Sequence, residues 1–185
     1  MPILRPEPSC YPDHLLDEPA AAAPGERCWW VLYTKARQEK ALARELLGRQ
    51  IPFYLPQVAK TVLLRGKRVA SYHPMFGGYL FLYAAETERI QSLKTNRVSR
   101  VLEVKDQDRL LFDLRQVRHL ILSGAPVTIE SMITPGDRVR VRGGPLAGLE
   151  GTVLLRRGKT RLLVSIDFLK QGASVEIDDF LLERL

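Results

Sequence analysis

The feature that most constrains the fold is a change in sequence character near residue 125. Before it, longer segments with the periodicity of amphipathic helices and strands follow one another. After it, short strand candidates rich in β-branched residues are separated by glycines, at positions 143, 144, 148, 151, 158 and 172. Because such different patterns are typical of different architectures, the sequence predicts two domains. The 185 residues are enough for two small hydrophobic cores.

The first domain is predicted to be a mixture of helices and strands. Residues 29–33 are apolar on both faces, which indicates a central strand. The predicted elements are, in order, strand 29–33, helix 36–50, strands 53–64 and 69–83, helix 86–95, strand 98–104 and helix 108–123. Without the last helix, this order is the ferredoxin-like split βαβ arrangement.

The second domain is predicted to be a small SH3-like β-barrel. Residues 139–142 alternate with period two, and short strand candidates follow at 151–155, 161–166 and 174–177. The fold class is therefore α+β. The predicted organisation is a disordered leader with six prolines, the first domain, a linker and the barrel, at residues 1–27, 28–124, 125–134 and 135–185.

The positive charge belongs to the first domain. Residues 28–124 hold 17 basic and 8 acidic residues, a net charge of +9, whereas residues 1–27 carry −3 and residues 125–185 carry +1. A localised basic excess favours an anionic partner, of which nucleic acid is the commonest. A basic surface that only keeps the protein soluble is the alternative, and charge alone does not separate the two.

Several protein classes are not supported by the sequence. No apolar run approaches the ~20 residues of a membrane-spanning helix, and no secretory signal precedes the first domain, so we expect a cytoplasmic protein. Cys10 and Cys28 are too few for a disulfide framework. No spacing of cysteine and histidine predicts a metal site, and the glycines at 143–148 lack the lysine of a phosphate-binding loop. We therefore expect no metal, no cofactor and no enzymatic activity.

Two strands carry aromatic residues on one face. Alternation places Tyr79, Phe81 and Tyr83 on the same side of their strand, and Trp29, Val31 and Tyr33 on the same side of theirs. Each residue taken alone is most simply a core residue. However, the two helices of a split βαβ unit usually cover one face of the sheet, so we expect the other face to meet water, a third element or a partner.

Basic residues concentrate at two predicted loops of the first domain. Lys35 and Arg37 follow the first strand, and Arg65, Lys67 and Arg68 surround a glycine at a predicted hairpin tip. Charges on a protruding loop suit contacts to a phosphate backbone without base recognition. A hairpin kept charged to prevent edge pairing is the alternative.

These segments resemble the NusG family of transcription elongation factors. The resemblance to its N-terminal domain rests on Trp29-Trp30-Val31-Leu32-Tyr33-Thr34-Lys35, Arg65-Gly66-Lys67-Arg68 and His73-Pro74-Met75-Phe76-Gly77-Gly78-Tyr79-Leu80-Phe81. The resemblance to its KOW motif rests on Pro135-Gly136-Asp137-Arg138-Val139-Arg140-Val141 and Gly144-Pro145-Leu146-Ala147-Gly148-Leu149-Glu150-Gly151. The hairpin and the Pro74-x-Phe76 stretch look closer to the specialised RfaH-like branch than to housekeeping members.

The resemblance implies a site on the first domain. In this family that domain docks on the clamp helices of the largest RNA polymerase subunit and opposes pausing. Carried over by position, the polymerase-binding residues would be Tyr33, Phe76, Tyr79 and Phe81. Lys35 and the tip residues Arg65, Lys67 and Arg68 would approach upstream or non-template DNA.

The resemblance also implies a second partner for the barrel. Its KOW motif contains Gly144, Gly148 and Gly151, and Phe168 and Leu169 fall in the loop that binds a partner in this family. That partner is ribosomal protein S10 or the terminator Rho. The resemblance thus predicts a monomeric, non-enzymatic elongation and antitermination factor. The alternative is a KOW-type ribosomal or RNA-binding protein, which would not need an aromatic face on the first domain.

Overall fold

The computed structural model describes residues 8–17, 27–64, 67–130, 136–156, 158–178 and 181–185. The chain forms two compact units, Met1–Gln107 and Asp108–Leu185. The first unit contains β1 (Cys10–Tyr11), β2 (Cys28–Thr34), α1 (Glu39–Gly48), β3 (Phe53–Tyr54), β4 (Gln57–Leu64), β5 (Lys67–Pro74), β6 (Tyr79–Ala84), α2 (Glu86–Leu93) and β7 (Val98–Glu103). Helix α3 (Gln107–Leu122) begins at the last residue of the first unit and otherwise belongs to the second unit. The second unit also contains β8 (Val127–Glu130), β9 (Arg138–Val141), β10 (Glu150–Arg156), β11 (Lys159–Ile166), β12 (Gln171–Glu176) and β13 (Leu182–Arg184).

The main sheet of the first unit has the order β1-β3-β6-β2-β7, and every neighbouring pair is antiparallel. Strands β2 and β3 both run antiparallel to β6 and are therefore parallel to each other. They are connected through α1, with β6 inserted between them, which is the split βαβ arrangement. The prediction of an α+β chain with a ferredoxin-like first domain is confirmed.

Helix α1 covers one face of this sheet. Its buried Leu42 and Leu46 lie one turn apart and pack into a cluster with Leu32, Leu80 and Leu82 of the central strands. The helix is shorter than the predicted 36–50, because the backbone turns left-handed on both sides of it. The φ angles there are 58° at position 37 and 57° at position 50.

The two long strands predicted at 53–64 and 69–83 are each broken. Residues 75–78 form a turn between β5 and β6, and Gly78 in this turn has φ +85°. The outer pieces, β4 and β5, form a separate two-stranded ribbon, from Gln57 opposite Pro74 to Leu64 opposite Lys67. The predicted hairpin therefore exists, but it is a sheet of its own and not part of the main sheet.

The predicted disordered leader contains an ordered part. Residues 10 and 11 form β1 at the edge of the main sheet, and Leu16 is completely buried. The prediction of disorder over 8–17 was wrong, because a short segment that pairs with an edge strand needs no apolar periodicity of its own. The remainder of the predicted leader, 1–7 and 18–26, lies outside the described residues.

The second unit is built on a six-stranded antiparallel sheet with the order β13-β9-β10-β11-β12-β8. The predicted C-terminal β domain is confirmed. The predicted linker 125–134 supplies one of its strands, since β8 pairs with β12 from Val127 opposite Val175 to Glu130 opposite Gly172. Residues 131–135 lie outside the described part of the chain.

Helix α3 is held by polar contacts to the strands of the second unit. Gln116 Oε1 accepts a hydrogen bond from the backbone N–H of Glu150 at 3.0 Å, and Asp113 Oδ2 accepts one from that of Asp167 at 2.9 Å. Arg109 contacts the carboxylates of both Asp113 and Asp167. The division between compact units therefore falls at residue 107, before this helix, whereas the sequence placed it after the helix, near 124.

A candidate binding surface at the end of the central strands

Three neighbouring strands bring an aromatic pair and an arginine into one row. Tyr33 on β2 lies opposite Tyr79 on β6 and opposite Arg100 on β7. Residues directly opposite each other in antiparallel strands project to the same face of the sheet. We call Tyr79, Tyr33 and Arg100 the Tyr33 row. The two rings have centroids 5.2 Å apart with an interplanar angle of 50°.

The Tyr33 row is accessible to a partner. Tyr33 is 40% exposed, Arg100 is exposed and Tyr79 is half-buried. Arg100 was not among the sequence-predicted site residues, because its strand had been placed but the strand register had not. An accessible aromatic pair beside a guanidinium combines apolar contact area with a charged hydrogen-bond donor, which is typical of protein-binding hot spots.

The tight turn that contains Gly78 lies next to the Tyr33 row. Gly78 accepts a hydrogen bond from the Thr34 N–H at 2.7 Å and donates its own N–H to Glu39 Oε1 at 2.7 Å. A Cβ atom at Gly78 would lie 2.9 Å from Cε2 of Tyr33. Glycine is therefore required both by the positive φ and by the approach of the ring. Glu39 was missed by the sequence analysis, which gave no reason to pair a helix residue with this turn.

Deeper along the strands, the aromatic face is closed. Trp29 lies opposite Tyr83 with ring centroids 5.2 Å apart, and Val31 lies opposite Phe81. Trp29, Val31 and Phe81 are at most 2% exposed. The sequence left open whether this face meets water, a third element or a partner. At Trp29, Val31 and Phe81 the face is buried, so the core interpretation holds for these residues.

Burial divides the four predicted polymerase-binding residues into two pairs. Phe76 and Phe81 pack edge to face, with centroids 6.4 Å apart, and are 1% and 0% exposed. In this conformation they cannot contact a partner, so their predicted role as contact residues needs correction. Tyr33 and Tyr79 are the pair that reaches the surface.

Burial also affects Tyr83 at the far end of the face. Desolvation raises the pKa of its hydroxyl, an effect that the charge of Arg27 partly opposes. The hydroxyl oxygen has no hydrogen-bond partner among the described residues. Tyr83 is therefore a packing residue with a neutral hydroxyl rather than a candidate acid or base.

The predicted nucleic-acid-binding residues are described only in part. Lys35 is exposed, and its ammonium donates a hydrogen bond to Asn96 Oδ1 at 2.7 Å. Arg37 is exposed in the turn before α1. Arg65 lies outside the described residues, and for Lys67 and Arg68 the structure describes only a backbone paired with β4.

In the second unit, the predicted KOW glycines have separate structural roles. Gly144 and Gly148 both have φ +81°, in the loop between β9 and β10. Gly148 donates its N–H to the Val141 carbonyl at 2.8 Å. A Cβ atom at Gly151 would lie 2.3 Å from the Leu163 carbonyl oxygen, so this position permits the close approach of β10 and β11.

The predicted partner loop is the turn at 167–170. Phe168 is 39% exposed and Leu169 is half-buried. The turn is closed by a hydrogen bond from the Leu169 N–H to the Ile166 carbonyl, and Lys170 has a left-handed backbone with φ 53°. One exposed aromatic side chain is thus presented on an ordered turn.

The described part of the chain offers no support for two other classes of site. None of the helices within the described ranges is long and apolar enough to cross a membrane. No group of three or more histidine, cysteine or acidic residues in that part of the chain could hold a metal ion.

Comparison with known proteins identifies the family. The family model described as NusG, transcription termination factor nusG, matches residues 27–128, which is more than half of the chain. This chain belongs to the NusG family, whose members are transcription factors rather than enzymes. A comparison with curated proteins finds no match.

Two solved structures are similar to the chain. One, described as domain interaction in Thermotoga maritima NusG, has 15% sequence identity and a TM-score of 0.45, and covers 86% of this chain and 98% of that one. The other is the MjSpt4:Spt5 complex in conformation B, with 15% identity, a TM-score of 0.29, and coverage of 85% and 96%.

Proposed function

We propose that this protein is a transcription elongation and antitermination factor that binds RNA polymerase through the Tyr33 row. Membership of the NusG family supplies the class of partner. The single observation that carries the site is the pair formed by the exposed Tyr33 and the half-buried Tyr79, which the register of β2, β6 and β7 places beside Arg100. The partner surface is the clamp helices of the largest polymerase subunit.

The row suits a helical partner for a physical reason. The two rings offer apolar area with few rotatable bonds, so little side-chain entropy is lost when they are covered. The Arg100 guanidinium can pair with a carboxylate on the partner helix, which fixes the orientation of docking. Phe76 and Phe81 are buried and are left out of the proposed contact surface.

Replacement of Tyr33 by alanine tests the site. Truncation of an aromatic anchor typically costs about 2 kcal/mol or more, so the affinity for core polymerase should fall roughly 30-fold. Tyr72 on β5 offers a matched control, because it is the same residue type and is also 40% exposed. Binding of Tyr33→Ala, Tyr72→Ala and wild type to core polymerase should be measured by biolayer interferometry. Equal losses in both variants would refute the assignment.

We further propose that Lys35 and the tip of the β4–β5 hairpin contact the DNA backbone near the polymerase. The charge of +9 over residues 28–124 supports this proposal. Replacing Arg65, Lys67 and Arg68 together by alanine should weaken binding to an elongation complex irrespective of DNA sequence. The slope of log affinity against log salt should become shallower by roughly one unit per lost phosphate contact. An unchanged slope would leave these residues as solvated surface.

For the second unit, we propose that the turn carrying Phe168 and Leu169 recruits a second protein, ribosomal protein S10 or Rho. The exposed aromatic ring on an ordered turn supports this. Titration of each purified protein against wild type and Phe168→Ala identifies the partner. Tight binding of one of them to wild type and at least roughly tenfold weaker binding to the variant is the expected result. A role in the RfaH-like branch would follow if S10 binds and Rho does not.

A further inference from the structure

The segment 8–17 precedes the part of the chain that the family model matches, yet it is built into the fold. The family match begins at residue 27. Before that point, Cys10 lies opposite Tyr54 and Tyr11 lies opposite Phe53 in an antiparallel pair. The Leu55 N–H donates a hydrogen bond to the Ser9 carbonyl at 2.6 Å, which extends the pairing by one residue. We call residues 8–17 the N-terminal strap.

The N-terminal strap is held by side-chain contacts in addition to its backbone hydrogen bonds. Leu16 is completely buried, and Tyr11 packs against the core cluster that includes Phe53 and Leu55. Hydrogen bonds from Leu15 to the Pro12 carbonyl and from Asp17 to the His14 carbonyl, both 2.9 Å, fold the segment back after β1. The strap is therefore anchored at both ends of its described length.

Without the strap, β3 would be an open edge strand. Its other side pairs with β6, so β1 is the only neighbour on the outer side in the described sheet. The backbone groups that now meet Ser9 and Tyr11 would lose their partners. The residues along that edge, Phe53, Tyr54 and Leu55, are all apolar or aromatic. An unprotected apolar edge is a template for strand addition by another chain.

We propose that the N-terminal strap closes the β3 edge against pairing with a second copy of this chain. A two-residue strand is short enough to detach by local opening, and the strap returns because it is tethered to the same chain at high effective concentration. Asp13 and Asp17 of the strap are exposed and acidic, whereas residues 28–107 of the same unit hold 14 basic and 6 acidic residues, so the overall charge of the unit favours the attached strap. This role is separate from polymerase binding.

Deletion of the strap tests the proposal through the oligomeric state. A variant lacking residues 1–17 should self-associate in a concentration-dependent manner in sedimentation velocity experiments. A variant lacking only residues 1–7 retains the strap and should sediment like the full chain. A synthetic peptide of residues 8–17, added in excess, should reverse the association. A deletion variant with an unchanged circular dichroism spectrum and unchanged sedimentation would overturn the proposal.

A point variant decides the matter if the deletion variant does not fold. Leu16→Ala removes the buried anchor of the strap, whereas Leu15→Ala alters its half-buried neighbour. In hydrogen exchange of the full chain, the Leu55 amide should exchange at least about tenfold faster in Leu16→Ala than in Leu15→Ala. Equal exchange rates at Leu55 in the two variants would show that the strap does not guard this edge.

Discussion

The position of the Tyr33 ring depends most directly on Gly78. The residue has φ +85°, and a Cβ atom there would lie 2.9 Å from the Tyr33 ring. Gly78→Ala should therefore both strain the backbone, at about 1–2 kcal/mol, and push the ring out of the row. We expect lower stability in urea unfolding and several-fold weaker polymerase binding.

The adjacent glycine provides the control for this prediction. A Cβ atom at Gly77 would have no neighbour within 4 Å, and Gly77 has no positive φ. Gly77→Ala should leave both the free energy of unfolding and polymerase affinity close to wild type. Similar behaviour of the two alanine variants would show that the row does not depend on the turn.

At the scale of single residues, the sequence identified the face that carries the aromatic residues but not which of these residues are buried. Period-two alternation correctly placed Tyr33 and Tyr79 on one face with Phe81. Alternation shows which side chains share a face but not how much of that face other parts of the fold cover. The burial of Phe76 and Phe81 was therefore not predictable from alternation. Arg100 could be added only after the register of β2 and β7 was known.

Helix α3 is joined to the second unit through a buried carboxylate. Asp113 is 2% exposed, accepts the Asp167 N–H and lies 3.0 Å from Arg109 Nε. Asp113→Asn removes the charge from this arrangement and leaves polar groups imperfectly paired, so the second unit should lose about 1–3 kcal/mol of stability. The Asp167 amide should exchange faster with solvent, which hydrogen exchange of the full chain measures.

Asp108 on the same helix is the matched control. It is exposed in the first turn, where its charge interacts with the helix dipole. Asp108→Asn should cost at most ~1 kcal/mol and should leave exchange at Asp167 unchanged. If Asp113→Asn has no larger effect than Asp108→Asn, α3 is held by its apolar contacts alone.

At the scale of elements, the sequence best predicted the helices and strands whose apolar pattern extends over several residues. The three helices and the central strands β2 and β6 were expected from their apolar patterns and are present. Strands β1 and β8 were missed because each is short and takes its stability from the partner strand that it joins. Such pairing is a property of the tertiary structure, and composition rich in proline or polar residues hides it.

At the scale of the molecule, charge and family membership lead to the same class of function. The positive charge is concentrated in residues 28–124, within which the Tyr33 row lies, and the family match covers that range. The second unit adds a nearly neutral sheet with one exposed aromatic turn. The proposed roles, contact with nucleic acid by the first unit and with a second protein by the other, would account for this distribution.

The dwell time of RNA polymerase at defined pause sites measures the proposed activity itself. Single-round transcription should be followed with core polymerase alone and with wild type, Tyr33→Ala or Tyr72→Ala at equal concentrations. The account predicts that wild type and Tyr72→Ala shorten the pauses, and that Tyr33→Ala at a concentration below its own dissociation constant does not. Pauses that are unchanged by saturating wild-type protein, or shortened equally by all three proteins, would contradict it.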